Sequence, residues 1–156
     1  MPASHHLVCP NCAAVNRVPT DRPQMAAKCG SCGARLFGGR PIELTAASFD
    51  RHLREDGVPL LVDFWAAWCG PCRAMAPVLE AAARELEPGV RIGKLDTDAE
   101  AEIAGRFGIR SIPTLILFRD GQEIARTAGA MPPAQLRSWL DRALGPDRVP
   151  GEQRVG

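Results

Sequence analysis

Two cysteines stand where an apolar run of the sequence gives way to an alanine-rich one, in Trp68-Cys69-Gly70-Pro71-Cys72. Residues 60–67 are almost entirely apolar and predict a buried strand, whereas residues 73–86 predict a helix. Backbone N–H groups at the start of a helix favour negative charge, so a cysteine placed there ionises more readily than a free one. Because the thiolate is the nucleophile of thiol–disulfide exchange, the pattern predicts a redox-active dithiol.

The alternative interpretation of this pair is a disulfide that only stabilises the fold. Closing a loop of two residues removes little entropy from the unfolded chain, so a bond between Cys69 and Cys72 would add little stability. The pair is therefore interpreted as catalytic.

The other four cysteines predict a structural zinc site. They form two further Cys-x2-Cys pairs, Cys9 with Cys12 and Cys29 with Cys32, which are separated by 16 residues. This spacing is typical of a zinc ribbon, in which four thiolates close a tetrahedral shell and leave no open position for a substrate. Residues 7–37 include few large apolar side chains, so a bound metal would supply the missing stability.

Other interpretations of these four cysteines stay open. They could form two disulfides or remain free, and His5-His6 lies close enough to Cys9 to compete as a ligand. Zinc is favoured because cysteines in a reducing compartment are more often ligands or catalytic groups than structural disulfides. The start of the chain has no secretory pattern, and no apolar run is long enough for a membrane span, so we expect a cytoplasmic protein.

Composition and charge are those of a soluble globular protein, with 46% hydrophobic and 24% charged residues. Residues 1–40 contain five basic groups and one acidic group, a charge of +4, whereas residues 41–156 carry −3. So few charges, with no aromatic residues interleaved, are weak grounds for nucleic-acid binding. Neither nucleic acid nor a membrane is expected as a partner.

The sequence pattern divides the chain into four parts. A ribbon at 1–38 and a short Gly/Pro linker at 39–41 precede a larger domain at 42–145, and residues 146–156 are expected to form a flexible tail. The larger domain alternates predicted strands with predicted helices, which indicates an α/β fold. The predicted strands are 42–44, 58–65, 90–96, 114–118 and 123–127, and the predicted helices are 45–55, 69–87, 99–107 and a last one that opens at Pro132-Pro133.

Asp63 lies inside the apolar strand and is a candidate proton acceptor. A carboxylate buried there would be costly to ionise, so its pKa is expected to be raised. A buried group with a shifted pKa near a reactive dithiol is a candidate for proton transfer. Strand alternation leaves open that the side chain points to the other face and is merely solvated.

Landmarks along the larger domain resemble those of the thioredoxin family. They are the run 64–72, Pro77, the run 94–96, the run 108–114 and Gly129. With the four-cysteine ribbon in front, the chain is similar to the zinc-binding bacterial type of that family, thioredoxin 2. The resemblance implies an α/β thioredoxin fold, a five-stranded mixed sheet flanked by helices, with a small N-terminal zinc ribbon.

The resemblance also implies roles in catalysis. Cys69, the first of the pair and nearer the helix end and solvent, would attack the substrate disulfide, and Cys72 would resolve the mixed disulfide. Asp63 would accept the proton of Cys72, and Lys94 would tune the charge of that aspartate.

A substrate-binding surface is implied around the dithiol. Pro113 would follow a cis peptide bond, and the backbone of Ile112 before it would pair with an extended substrate segment. The other members of this surface are Trp68, Gly70, Pro71 and Gly129.

These features predict a general protein-disulfide reductase. Gly-Pro between the cysteines resembles the reductants of this fold, whereas its oxidants and isomerases usually carry a histidine there. The resemblance implies oxidised proteins as substrates, electrons from NADPH through a thioredoxin reductase, one structural Zn²⁺, no bound organic cofactor, and a monomer. The alternatives are a disulfide oxidase or isomerase, and a redox-controlled zinc chaperone or adaptor. A further hypothesis is that the ribbon docks partners or regulates the larger domain.

Overall fold

Residues 4–145 form two sheets and four α-helices in the computed structural model, and the tail expected at 146–156 lies outside the described residues. The N-terminal sheet consists of β1 (Ser4–Val8) and β2 (Val15–Pro19), which pair antiparallel. The larger sheet and its helices are, in chain order, β3 (Ile42–Glu43), α1 (Phe49–Glu55), β4 (Leu60–Trp65), α2 (Gly70–Leu86), β5 (Arg91–Asp96), α3 (Ala101–Arg106), β6 (Thr114–Arg119), β7 (Gln122–Ala128) and α4 (Pro133–Leu144).

The larger sheet is mixed and has the strand order β3-β5-β4-β6-β7. Strands β3, β4 and β5 are parallel, whereas β6 is antiparallel to both of its neighbours, β4 and β7. Residues 60–64 of the central strand β4 are all buried, as expected for a continuous apolar run covered on both faces. The five-stranded mixed sheet with flanking helices confirms the fold class expected from the sequence.

Two helices begin later than the sequence pattern predicted. Helix α1 starts at Phe49 rather than near Thr45, because the Ser48 hydroxyl accepts the Thr45 N–H and holds the preceding residues in a turn. Helix α3 starts two residues late, since the Asp96 carboxylate accepts N–H groups of the turn before it. Within residues 4–145 no helix combines the length and the apolar character needed to cross a membrane.

Two apolar layers cover the two faces of the larger sheet. One is built around the aromatic rings of Phe49, Phe107 and Phe118, whose centroids lie 5.3–6.2 Å apart in edge-to-face contacts. The other layer packs α2 and α4 and continues into the ribbon, where Leu36 and Phe37 are fully buried. The ribbon therefore shares its hydrophobic core with the larger domain.

A buried arginine joins the ribbon to the larger domain. Arg91 is fully buried at the start of β5, and its Nε lies 2.6 Å from Oδ2 of Asp56. Its other two nitrogens donate to the backbone oxygens of Leu36 (2.9 Å) and Val8 (3.0 Å), while Asp56 accepts the Val8 N–H. The guanidinium also lies over the ring of Phe37. We call this group, together with His52 described next, the Arg91 cluster.

His52 joins the Arg91 cluster from α1, with its Nδ1 2.8 Å from Oδ2 of Asp56. Burial lowers the pKa of His52, so the imidazole is neutral at pH 7. Burial acts to raise the pKa of Asp56, but Arg91, His52 and the Val8 N–H outweigh it and the pKa is lowered. The cluster is therefore a buried Arg⁺–Asp⁻ pair with hydrogen bonds to both parts of the chain.

The ribbon contacts the larger domain where β4 and β5 begin, whereas the Cys69/Cys72 pair follows the other end of β4. Two further hydrogen bonds join these parts of the chain. The Gly39 N–H donates to the carboxylate of Glu87, just after α2, and the Gly57 N–H donates to the backbone oxygen of His6 at 2.7 Å. A Cβ at Gly57 would lie 2.7 Å from that same oxygen, so this approach requires glycine. Since α2 has 17 residues, it keeps the ribbon about 25 Å from the dithiol.

Candidate active site and metal centre

The strand-to-helix junction brings Cys69 and Cys72 together at the N-terminus of α2. They form a disulfide with Cα atoms 5.2 Å apart. Cys69 is the N-cap residue of α2, and its sulfur accepts the Cys72 N–H at 3.2 Å. This hydrogen bond and the helix dipole both favour a negative sulfur on Cys69 once the bond is broken. The exposed fractions, 4% for Cys69 and 3% for Cys72, do not distinguish the two residues, whereas this hydrogen bond does.

The loop before β6 presents a backbone carbonyl to the dithiol. The Ile112–Pro113 peptide bond is cis, and the Ile112 oxygen lies 3.7 Å from the Cys69 sulfur. On the other side of the loop, the Gly129 N–H donates to the Pro113 oxygen at 2.8 Å. Gly129 has φ 94°, a backbone conformation that favours glycine. The Ile112–Pro113 loop therefore lies next to Cys69, and Gly129, from a third segment, is hydrogen-bonded to that loop.

Trp68 forms an exposed wall of the site. It is 68% exposed, unlike an ordinary core tryptophan, and its Nε1 donates to Oδ2 of Asp98 at 2.9 Å. A hollow of about 170 Å³ lies between Trp68, Ile109 and Ile112. Gly70 and Pro71 are exposed beside it, so the surface next to the dithiol is open and mostly apolar.

Asp63 is buried within the central strand β4, with 1% of its surface exposed. Both carboxylate oxygens lack a hydrogen-bond partner among residues 4–145. Burial raises the pKa of Asp63 to about 7, and the positive charge of Lys94 opposes that rise. Because the side chain is buried, the alternative of a solvated aspartate on the outer face is wrong.

Lys94 lies beside Asp63 in the sheet without forming an ion pair with it. The two residues are direct partners across the parallel pair β4–β5. The Lys94 Nζ instead lies 4.1 Å above the centre of the Trp65 ring, in a cation–π contact. Its influence on Asp63 is therefore electrostatic, through space.

The four ribbon cysteines converge on one point. Their sulfur atoms all lie within 4.8 Å of one another. The distance is 3.5 Å between the sulfurs of Cys9 and Cys32 and 3.7 Å between those of Cys12 and Cys29. A tetrahedral zinc with Zn–S bonds of about 2.3 Å requires sulfurs about 3.8 Å apart, so the residues fit this metal. The observed separations greatly exceed a disulfide bond of about 2.05 Å, so the structure gives no support to the two-disulfide alternative.

The two halves of this cluster repeat the same backbone geometry. The N–H groups of Asn11 and Ser31 donate to the sulfurs of Cys9 and Cys29, at 3.3 and 3.4 Å. The same turn closes at Ala13 and at Gly33, with φ of 62° and 81°. Ala13 thus adopts a left-handed conformation that usually favours glycine. His5 is hydrogen-bonded to the side chain of Gln24 and is not a member of the cysteine cluster.

Comparison with known proteins shows the same two parts. The family model described as Thioredoxin matches residues 40–142, and the zinc-ribbon model described as Thioredoxin 2, N-terminal matches residues 8–34. The chain belongs to the thioredoxin family. Thioredoxins are thiol–disulfide oxidoreductases, and this chain is an enzyme of that class.

Several thioredoxins from other organisms are similar over most of their length. Thioredoxin C-3 of Corynebacterium nephridii is 40% identical over 138 residues, which cover 88% of this chain and 94% of that protein. Thioredoxin 1 of Synechococcus elongatus is 45% identical over 101 residues, covering 65% of this chain and 94% of that protein. The solved structure of a thioredoxin mutant from Halobacterium salinarum aligns with a TM-score of 0.62 and 27% identity, covering 70% of this chain and 95% of that one.

Sequence reasoning missed two parts of this thioredoxin. Asp98, which holds the Trp68 ring in place, carries no signal in the sequence beyond being a polar residue in a predicted loop. The burial of Arg91 was not predicted either, because a single arginine at the start of a strand usually points to water. Only the packed ribbon reveals that its charge is buried against Asp56.

Proposed function

We propose that this thioredoxin reduces disulfides in proteins through the Cys69/Cys72 pair. The observation that carries the proposal is the position of the pair at the N-terminus of α2, with the Ile112 carbonyl 3.7 Å from the Cys69 sulfur. A backbone carbonyl beside the nucleophile supports pairing with an extended substrate segment, which brings a substrate disulfide onto Cys69.

The reaction transfers two electrons from the dithiol to the substrate. In the reduced enzyme, the Cys69 thiolate attacks one substrate sulfur, the substrate S–S bond breaks, and the departing sulfur takes up a proton. Cys72 then loses its proton and attacks Cys69, so the mixed disulfide breaks and the second substrate thiolate leaves. The enzyme ends with the Cys69–Cys72 bond that the structure contains.

Asp63 is the proposed acceptor of the Cys72 proton. Its pKa of about 7 keeps the carboxyl half-ionised at neutral pH, where it can both take and release a proton. With no hydrogen bond to either cysteine among residues 4–145, it would act through an intervening water. Lys94 would limit the rise of that pKa by its nearby charge.

The Gly70-Pro71 pair resembles that of the reductants of this fold and supports electron flow from the dithiol to the substrate. Electrons would come from NADPH through a thioredoxin reductase. The cytoplasm is the compartment in which a reducing dithiol and four metal-binding thiolates persist.

A redox titration tests this proposal. The Cys69/Cys72 pair of the purified protein is equilibrated in defined dithiol buffers and followed by the fluorescence of Trp68 and Trp65. We expect a midpoint near the thioredoxin value of about −270 mV. A midpoint higher by about 100 mV or more would make the protein an oxidant or isomerase and refute the reductase assignment.

The pH dependence of the Asp63→Asn variant tests the role of this carboxyl. We expect reduction at pH 7 to slow on the order of a hundredfold and the rate to lose its rise with pH through pH 7.

The same carboxyl makes the stability of the wild type depend on pH. Activity should rise as the pH rises through 7, whereas stability should fall. Asp63 keeps its proton up to about pH 7 in the folded protein but only up to about pH 4 in the unfolded chain. The free energy of unfolding of the wild type therefore falls by about 4 kcal/mol as the pH rises from 4 to 7. Urea unfolding across this range should show that slope in the wild type and lack it in the variant.

We propose one structural Zn²⁺, held by Cys9, Cys12, Cys29 and Cys32, within a ribbon at 1–38 that the linker 39–41 joins to the thioredoxin domain at 42–145. The metal would fix the turns of the ribbon and would take no part in electron transfer, because all four ligand positions are thiolates. Metal analysis of purified protein should give one zinc per chain. The Cys9→Ser variant should lose it, while Cys69→Ser, a matched control outside the ribbon, should keep it. Zinc loss from both variants would contradict the assignment.

A further inference from the structure

We propose that the outer face of the ribbon is a second docking site, which binds an acidic segment of the protein substrate. The inference rests on the proposed reductase function and adds a recognition element at a distance from the dithiol. The site is a groove of about 490 Å³, which we call the ribbon groove. It is lined by Arg17, Val18, Pro19, Arg22, Pro23, Ala26, Ala27 and Lys28.

The charge of the ribbon groove is entirely positive. Arg17, Arg22 and Lys28 are exposed along it, and no acidic residue lines it. None of these three side chains forms an ion pair within residues 4–145. In addition, Lys28 lies directly opposite Arg35 across an isolated β-bridge, where like charges repel each other. Bound carboxylates would relieve this repulsion.

The lining favours a peptide over a nucleic acid. Between the cations, the floor of the groove consists of Val18, prolines and alanines, which suit the apolar stems of an extended peptide. No aromatic ring lines the groove, so bases would find no stacking platform.

The position of the groove sets a length requirement for the substrate. The ribbon is separated from the dithiol by α2, about 25 Å. A spacer of four residues spans at most about 14 Å, so only the far glutamates of a tag attached through it could reach the groove. A flexible spacer of 24 residues has an average span of about 27 Å, so it can place an acidic segment in the groove while its disulfide is at Cys69.

Direct binding provides the first test. A fluorescent octaglutamate peptide, which contains no cysteine, is titrated with the full-length zinc-loaded protein. We expect saturable binding whose affinity weakens as salt is added. In the Arg17→Glu/Arg22→Glu variant the Kd should rise at least about fivefold. The Arg54→Glu/Arg142→Glu variant carries the same change of net charge at exposed positions and should bind as the wild type does. Equal loss in both variants would overturn the proposal.

Reduction kinetics provide the second test. Three peptide disulfides are compared: one without a tag, one with an octaglutamate tag on a four-residue Gly/Ser spacer, and one with the same tag on a 24-residue spacer. We expect the long-spacer substrate to show a kcat/KM raised about five- to tenfold, through a lower KM. The short-spacer substrate should show a smaller gain, because only its far glutamates reach the groove. The Arg17→Glu/Arg22→Glu variant should lose both gains and reduce the untagged disulfide as the wild type does.

The outcomes separate this inference from the proposed function. If the untagged disulfide is reduced and the long-spacer tag brings no gain, the docking site is refuted and the reductase stands. If none of the three substrates is reduced, the proposed function itself fails. Two results would assign the groove to a different occupant and overturn the proposal. One is tighter binding of a single-stranded oligonucleotide than of octaglutamate. The other is self-association of the chain that the Arg17→Glu/Arg22→Glu variant abolishes.

Discussion

Replacing Cys72 with serine is expected to leave the enzyme covalently attached to its substrate. The Cys69 thiolate, stabilised at the start of α2, can still attack, but no thiol remains to break the mixed disulfide. Multiple-turnover reduction of a protein disulfide should fall on the order of a thousandfold or more, because a serine hydroxyl is a far weaker nucleophile at neutral pH. Non-reducing electrophoresis and intact-mass spectrometry should then show one substrate per enzyme chain.

The Cys69→Ser variant is the matched control for this experiment. It should lose turnover to the same extent and yield no adduct, because the remaining cysteine lies inside the helix and lacks the stabilising N–H. An adduct that accumulates with Cys69→Ser and is absent with Cys72→Ser would reverse the two roles.

Replacing Arg91 with methionine is expected to lower the free energy of unfolding by about 3–5 kcal/mol. Methionine has a similar volume, but it leaves the Asp56 carboxylate buried without its cation. The carbonyl groups of Leu36 and Val8 lose their donors at the same time. Urea unfolding of the zinc-loaded protein, monitored by far-ultraviolet circular dichroism, measures the loss.

Two further variants test whether the loss of stability comes from the unpaired, buried carboxylate. Arg106→Met removes an exposed arginine, whose partner is Asp50, and should cost less than about 1 kcal/mol. The double variant Arg91→Met/Asp56→Leu removes both buried charges and should recover part of the stability, because no unpaired carboxylate is left. A double variant less stable than Arg91→Met alone would show that Asp56 acts mainly through Val8 and His52.

The sequence predicted the parts of this molecule whose chemistry is local. The dithiol follows from an apolar strand that runs directly into a helix, and the raised pKa of Asp63 follows from a carboxylate inside that strand. The two turns of the ribbon follow from spacing, because each Cys-x2-Cys pair fixes its own two sulfurs. These features depend on neighbours within a few residues. The meeting of the two cysteine pairs spans 17 to 23 positions, and it was expected only because their spacing is typical of a zinc ribbon.

What the sequence did not predict depends on contacts between distant segments. The approach of Ile112 to Cys69 joins residues 43 positions apart, and only the family resemblance suggested it. The hydrogen bond between Trp68 and Asp98, and the ion pair between Arg91 and Asp56, had no local signature. The start of α1 was placed too early because the Ser48–Thr45 turn competes with the helix for the same backbone groups.

The shared core of the ribbon and the larger domain limits how either part can be exchanged between proteins. A chain shortened to residues 42–145 would expose the side chains that cover Leu36 and Phe37, and it would leave Arg91 without two of its acceptors. A ribbon grafted onto another thioredoxin would need the recipient to carry Arg91, Asp56 and the close-approach glycine at 57 as well. Recombination that transfers the ribbon without Arg91, Asp56 and Gly57 would therefore produce a less stable protein.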